Sequence, residues 1–274
     1  MVFRSSFRGQ PLVLKVAKGR GPEGMRQVSA AGQEVADEFA VLTAVGQHPN
    51  VVRAFAVLTS SLGRPALVLE PATESLHAAA CRLKARDGWL AGRKSLVPLF
   101  QQFLVGLSYV HGRSFLHLDV KPSNILVFGD NRAALADFGL AREMVQETCY
   151  VIGSRAYTEA FRCPECLMAA DRKVRLTCSA DVWAAAVSFF DIFSPKDTNL
   201  WKMPPKTFVR ETEEGTAGSI RNMALRVCEK AMPHDDTMMK ILERSLVPAR
   251  QRPSLSGFLD VTQKKAVRGS AAAR

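Results

Sequence analysis

The residues His117-Leu118-Asp119-Val120-Lys121-Pro122-Ser123-Asn124 are followed, 13 residues beyond Asn124, by Asp137-Phe138-Gly139. Two carboxylates, an ammonium and a carboxamide therefore flank one short apolar stretch. Within it, Ile125 to Phe128 and Ala134 to Ala136 lie on either side of Gly129-Asp130-Asn131, the pattern of a small hairpin. Upstream, after a polar segment, Leu96, Leu99/Phe100, Phe103/Leu104, Leu107 and Val110 recur at spacings of three and four and predict a long amphipathic helix ending at Gly112. Downstream, Val182 to Phe193 is apolar nearly all round, as expected of a helix buried at the centre of a domain. Two further helices are expected over Ser219 to Ala231 and Thr237 to Leu246, and a short one near Ser254 to Val261.

Nearer the N-terminus the pattern changes. Leu12 to Val16 predicts a strand, preceded by Val2 to Phe7 with a turn at Arg8-Gly9-Gln10-Pro11. Lys18 to Gly24, rich in Gly and basic residues, is expected to be loop. Val35, Phe39, Leu42 and Val45 share one face of a helix that ends near Gly46 and is stopped by His48-Pro49-Asn50. Val51 to Thr59 and Ala66 to Glu70 are apolar, β-branched strands joined by Ser60-Ser61-Leu62-Gly63-Arg64. The expectation is an α+β chain: a small β-rich lobe, then a larger α-helical one, with the boundary near Glu70 to Ser75.

Composition limits the alternatives. The chain has 274 residues, 47% apolar and 23% charged, which suits one large domain or two packed lobes and is far from the composition of disordered chains. Val182 to Phe190, interrupted by Ser188, is well short of the roughly 20 residues that span a bilayer. Met1 to Gln10 holds no apolar signal-peptide core, so an intracellular setting is expected. Six cysteines are too few for a disulfide scaffold. Cys163 and Cys166 form a CxxC, but a zinc site normally needs a second ligand pair, and no second CxxC or HxxxH exists. The net charge of +11 favours contact with acidic or phosphate-bearing partners, although the basic residues are spread along the chain. Residues 263–274 form a basic, Ala-rich tail.

The two motifs, in this order and spacing, resemble the catalytic loop and the metal-binding motif of protein kinases. That resemblance implies a bilobal protein-kinase-like fold over residues 1–262, with an N-lobe and hinge at 1–72 and a C-lobe at 73–262. It implies ATP-dependent phosphoryl transfer to protein substrates. Such a reaction asks mainly for positioning and charge neutralisation, with hard oxygen ligands for magnesium. Asp119 would be the catalytic base, Lys121 would lie near the transferred phosphoryl group, and Asn124 and Asp137 would hold Mg2+. Lys15, in Leu12-Val13-Leu14-Lys15, resembles the family's strand lysine and would pair with the α- and β-phosphates. Its glutamate partner is expected to be Glu38, with Glu34 one turn away as the alternative. Leu69 would be the gatekeeper and Glu70 to Ala72 the hinge whose backbone binds adenine, while Val13 and Leu126 would sandwich the ring. His117, Phe138 and Leu42 fit the apolar column that links the lobes.

Phe161-Arg162-Cys163-Pro164-Glu165 resembles the family's APE motif with Cys for Ala, which accounts for the CxxC. Arg252 would pair with Glu165, and Asp181, in Asp181-Val182-Trp183, would brace the catalytic-loop backbone. Asp137 to Glu165 is then the activation segment, with Thr148, Tyr150, Ser154, Tyr157 and Thr158 as its hydroxyls. Thr158 fits the position that contacts Asp119 and Lys121, and with Lys121 it implies Ser/Thr specificity. Leu118 stands where an Arg usually precedes the catalytic Asp, so no cation is available there to bind a phosphorylated loop. A subgroup resemblance to Mos-like kinases rests on Val2 to Pro11 and the His-Leu-Asp sequence. Val2 fits the valine after the last glycine of the phosphate loop, so the first strand and Gly-rich loop are missing and the domain is expected to be N-terminally truncated. That absence leaves a pseudokinase or scaffold as the alternative function, and a basic nucleic-acid-binding module as a third, for which no aromatic-basic motif is present.

Overall fold

The computed structural model describes residues 2–16, 25–59, 64–194, 213–231 and 236–258. The expected loop over Lys18 to Gly24, the turn over Ser60 to Gly63, the tail over 263–274 and residues 259–261 of the last expected helix lie outside the described residues. No helix among those described is long and apolar enough to cross a membrane.

β1 (Val2–Phe7) and β2 (Gln10–Val16) pair antiparallel through the two-residue turn Arg8-Gly9, shorter than the four residues expected. Both turn residues have positive φ, 49° and 79°, the conformation that matches the right-handed twist of a hairpin. Gly9 adopts it without a Cβ penalty. α1 (Met25–Val45) buries Val35, Glu38, Leu42 and Val45 on one face and packs it against β3 (Ala54–Thr59) and β4 (Pro65–Leu69). Gly46, at φ 84°, closes the helix by donating its N–H to Leu42 O at 3.1 Å. The four strands form one sheet in the order β1-β2-β4-β3.

The strand expected from Val51 starts three residues later. Val51 and Val52 are instead drawn to the other half of the molecule: Val52 N–H donates to Leu135 O at 2.8 Å, and Leu135 N–H donates to Asn50 O at 2.9 Å. β5 (Glu74–Ser75) leaves the first sheet and pairs with β7 (Ile125–Val127), which pairs in turn with β8 (Ala133–Leu135), the hairpin expected from sequence.

The polar segment before Leu96, to which the sequence pattern assigns no element, is helical. α2 (Leu76–Gly112) starts at Ser75, whose Oγ accepts from Ala78 N–H at 3.2 Å, and it is interrupted only at Gly88 (φ 77°, ψ 166°). Leu76, Ala79, Ala80 and Leu83 recur at helical spacing and are buried, while His77, Cys81 and Arg82 between them are exposed. β6 (Phe115–Leu116) pairs with β9 (Arg142–Glu143), and β10 (Cys149–Ile152) with β11 (Lys173–Leu176). These strands of two to four residues carry no periodicity that a sequence reading can detect. α3 (Pro164–Ala169) precedes α4 (Cys178–Phe193), which is buried along almost its whole length. α5 (Glu213–Ala231), α6 (Asp236–Ser245) and a helical turn over 255–258 complete the described chain. Phe100 of α2 meets Phe189 and Phe193 of α4 edge-on at 5.3 and 5.7 Å, so α2 and α4 share one apolar core. The architecture is α+β, a small sheet with one long helix followed by a larger helical part.

Candidate active site

Strand β2 and helix α1 place Lys15 and Glu38 against the turn after β8. Lys15 Nζ donates to both Glu38 oxygens at 2.8 and 2.6 Å and to Asp137 Oδ1 at 2.6 Å, joining residues 23 and 122 positions away. Glu38 is buried, whereas Glu34 is exposed one turn earlier, so the geometry selects Glu38. Glu38 Oε1 also accepts from Phe138 N–H at 3.2 Å. Burial by itself would push the Lys15 ammonium down, but the Glu38 and Asp137 carboxylates overcome it and hold its pKa above the ordinary value. Burial raises Glu38 against the pull of Lys15. At Asp137 burial also acts upward, yet the Lys15 charge and hydrogen bond prevail and keep the carboxyl below its usual range.

The second group lies on the loop between β6 and β7. Asp119 is 7% exposed and fully engaged. Its Oδ1 accepts from Thr158 N–H and Oγ1, both at 3.0 Å, and its Oδ2 accepts from Lys121 Nζ at 2.7 Å and Asn124 Nδ2 at 2.8 Å. Lys121 Nζ also donates to Thr158 Oγ1 at 2.7 Å. His117 locks the loop: its Nε2 donates to Ala136 O at 3.0 Å and its Nδ1 accepts from Asp119 N–H at 3.3 Å. Full burial lowers its pKa, consistent with a neutral ring serving as donor on one side and acceptor on the other. Its edge meets Phe138 at 4.8 Å between centroids, and Leu42 is buried in the same core. Leu118 (φ 62°) and Asp137 (φ 66°) are held in the left-handed region that non-glycine residues rarely adopt, a strain common where loops present reactive groups.

Asp181, fully buried near the start of α4, braces this loop as expected. It accepts from His117 N–H at 2.9 Å and Leu118 N–H at 3.1 Å. Sequence reasoning missed one of its partners and the engagement of another. His111 Nε2 donates to Asp181 Oδ2 at 2.9 Å, and Tyr157, named only as an activation-segment hydroxyl, donates its OH to Oδ1 at 2.8 Å. The one available signal was a histidine in the last turn of α2. Arg162, also missed, gathers the carbonyls of Ser154, Ala156 and Tyr157. Glu165 forms a two-pronged pair with Arg252 at 2.6 and 2.7 Å, and Arg252 stacks over Trp183 at 4.9 Å.

The remaining expected residues surround the end of β4. Val13 pairs directly with Leu69 across β2 and β4; Leu69 is buried and Val13 is half-exposed. Leu126, also half-exposed, pairs with Ser75 just beyond the 70–73 connection. Ala72 lies in that connection, and its backbone has no protein hydrogen-bond partner among the described residues. The Glu70 side chain turns to Arg132 at 2.7 Å and to Arg53 N–H at 2.9 Å, and its own N–H donates to Arg53 O at 3.1 Å, so the Glu70 carbonyl is the group left for a ligand.

Among the described residues, no three His, Cys, Asp or Glu side chains gather into a metal site. Asn124 and Asp137 supply two oxygen donors, which suits Mg2+, an ion that usually takes one or two carboxylates and completes its shell with water and phosphate oxygens.

The family model for the protein kinase domain matches residues 4–254. The chain belongs to the protein kinase family. Similar proteins include cell division control protein 2 homolog 3 of Trypanosoma brucei brucei, 31% identical over 70% of this chain and 58% of that protein. Mitogen-activated protein kinase 15 of Xenopus laevis is 32% identical over 54% of this chain and 25% of its own length. CBL-interacting protein kinase 4 of Oryza sativa subsp. japonica is 33% identical over 61% and 37% respectively. This kinase chain thus spans between about a quarter and three-fifths of the length of these relatives.

Proposed function

We propose that this kinase transfers the γ-phosphoryl group of ATP to Ser or Thr hydroxyls of protein substrates. The observation that carries the proposal is that the Lys15, Glu38 and Asp137 group is joined to the Asp119, Lys121, Asn124 and Thr158 cluster through Ala136, whose N–H donates to Asn124 O at 2.9 Å and whose carbonyl accepts from His117 Nε2 at 3.0 Å. Residues 1–72 form the nucleotide-side lobe with its hinge and 73–262 the substrate-side lobe. The departure of β5 from the first sheet supports that division.

In this scheme Lys15, held by Glu38, binds the α- and β-phosphates; Val13, Leu69 and Leu126 enclose adenine, and the backbone at Glu70 and Ala72 hydrogen-bonds it. Asn124 and Asp137 would hold Mg2+, which when bound supplies charge neutralisation for the phosphates. Asp119 orients the substrate hydroxyl and takes its proton. With four donors already on the carboxylate, its main contribution is alignment. Lys121 bridges Asp119 and Thr158 and lies where it can turn to the transferred phosphoryl group. Similarity to proteins named serine/threonine-protein kinase Nek6 and serine/threonine-protein kinase ICK, together with the Lys121–Thr158 contact, favours Ser/Thr over Tyr. With Lys15, Asp119, Lys121, Asn124 and Asp137 all present and in hydrogen-bonded contact, transfer is favoured over a scaffold role. All six cysteines are free thiols, which suits a reducing intracellular setting.

The test is incorporation of labelled phosphate from Mg-ATP into a generic basic protein. Asp119→Asn should lower turnover about 100-fold or more while nucleotide binding persists. Equal turnover by the variant would refute the assignment of Asp119.

A further inference from the structure

Tyr157 is a bulky residue held at φ 59°, a conformation that glycine would adopt freely. Something about the tyrosine itself must therefore compensate for the strain. All its polar groups are engaged: the N–H donates to Leu118 O at 2.7 Å, the carbonyl accepts from Arg162 at 3.2 Å, and the hydroxyl donates to Asp181 Oδ1 at 2.8 Å. Asp181 Oδ1 is the same oxygen that accepts Leu118 N–H. The next residue, Thr158, places both its N–H and its hydroxyl on Asp119. The dipeptide Tyr157-Thr158 thus spans two carboxylates, one that fixes the catalytic-loop backbone and one that faces the substrate. Leu118, between them, is 1% exposed and apolar.

We propose that the Tyr157 hydroxyl is a positioning group that locks the activation segment onto the catalytic loop without a phosphate, and so sets Thr158 on Asp119. This rests on the kinase reading above. The lock consists of neutral donors on a buried carboxylate, so it forms with the segment unmodified. A glycine or alanine at 157 would keep the backbone bond to Leu118 and leave Asp181 one donor short. The consequence falls on alignment of the substrate hydroxyl, because Lys15, Glu38 and Asp137 do not touch Tyr157.

The experiment compares the phosphatase-treated full chain with Tyr157→Phe, which keeps the ring and removes only the hydroxyl. Expected are undiminished wild-type turnover after treatment, and in the variant a kcat lower by about 10- to 100-fold with an unchanged KM for ATP. Amide hydrogen exchange, read in parallel, should speed up at Leu118 and Thr158 by about 10-fold or more, beyond any change at the amides of the helical core. Loss of wild-type turnover on phosphatase treatment would overturn the proposal. So would unchanged kcat, or unchanged exchange at those two amides in Tyr157→Phe. A wild-type chain that transfers no phosphate at all would refute the kinase reading instead, and the exchange comparison would still decide whether the hydroxyl holds the segment.

Discussion

Replacing His111 with Gln should remove a pH dependence of stability whose size follows from the structure. His111 is almost completely buried, which alone would lower its pKa. The hydrogen bond and charge of Asp181, aided by Cys178, overcome that and raise it from 6.5 to about 9. The interval between 6.5 and about 9 corresponds to about 3 kcal/mol of stability held by the charged form. The sign is set by which state holds the proton. Between 6.5 and 9 the folded chain binds one more proton than the unfolded chain, so stability falls as pH rises, by up to about 1.4 kcal/mol per unit. The contribution is complete below 6.5 and gone above about 9. His117 acts oppositely: burial lowers its pKa, so its cost appears as pH falls through 6.5. Gln at 111 can still donate a hydrogen bond to Asp181 but carries no charge. Denaturant unfolding of both proteins from pH 6 to 10 should show wild type ahead by about 3 kcal/mol at the acid end, with the curves converging at the alkaline end. Taking the difference cancels the titrating groups that do not interact with His111. Parallel curves for wild type and His111→Gln would refute the charged pair.

Two further substitutions probe how the parts are joined. A Cβ at Gly106 of α2 would run into the backbone oxygen of Asn50, in the segment that bonds to Leu135, so Gly106→Ala should destabilise by about 1–3 kcal/mol. A midpoint in denaturant equal to wild type would show that the segment simply moves aside. Glu165→Ala leaves the Arg252 guanidinium, whose side chain is 0% exposed, without its carboxylate, and should cost about 3–5 kcal/mol in the same assay. A loss below about 1 kcal/mol would mean that the carbonyls of Val247 and Ser179 suffice for Arg252.

The catalytic loop was legible because its chemistry is local. Asp119, Lys121 and Asn124 lie within six residues and reach one another without help from the rest of the chain, so their spacing alone carries meaning. Lys15 and Glu38 were legible because a strand and a periodic helix place them, although sequence left Glu34 open until burial of Glu38 decided it. The first half of α2 was hidden because its charged residues and Gly88 mask a buried face of small side chains, Ala79 and Ala80 among them. The start of β3 was misplaced for another reason: Val51 and Val52 have strand character, but their partner, Leu135, comes from a distant hairpin. The two-residue turn at Arg8-Gly9 required an arginine at φ 49°, a conformation its residue type does not advertise.

Asp181 shows why the rest of the site could not be read in advance. One buried carboxylate accepts from His111 on a helix, from His117 and Leu118 on the catalytic loop, and from Tyr157 on the activation segment, partners up to 70 residues away. Burying that charge is tolerable only because all these donors arrive together; burial would raise its pKa, and they keep it below the usual carboxylate range. The requirement is mutual. Each donor segment has a reason to occupy its place only when the others occupy theirs, so the arrangement of loop, segment and helix forms as one cooperative unit. A sequence can show that an aspartate opens α4, but the four donors it unites are a property of the closed fold.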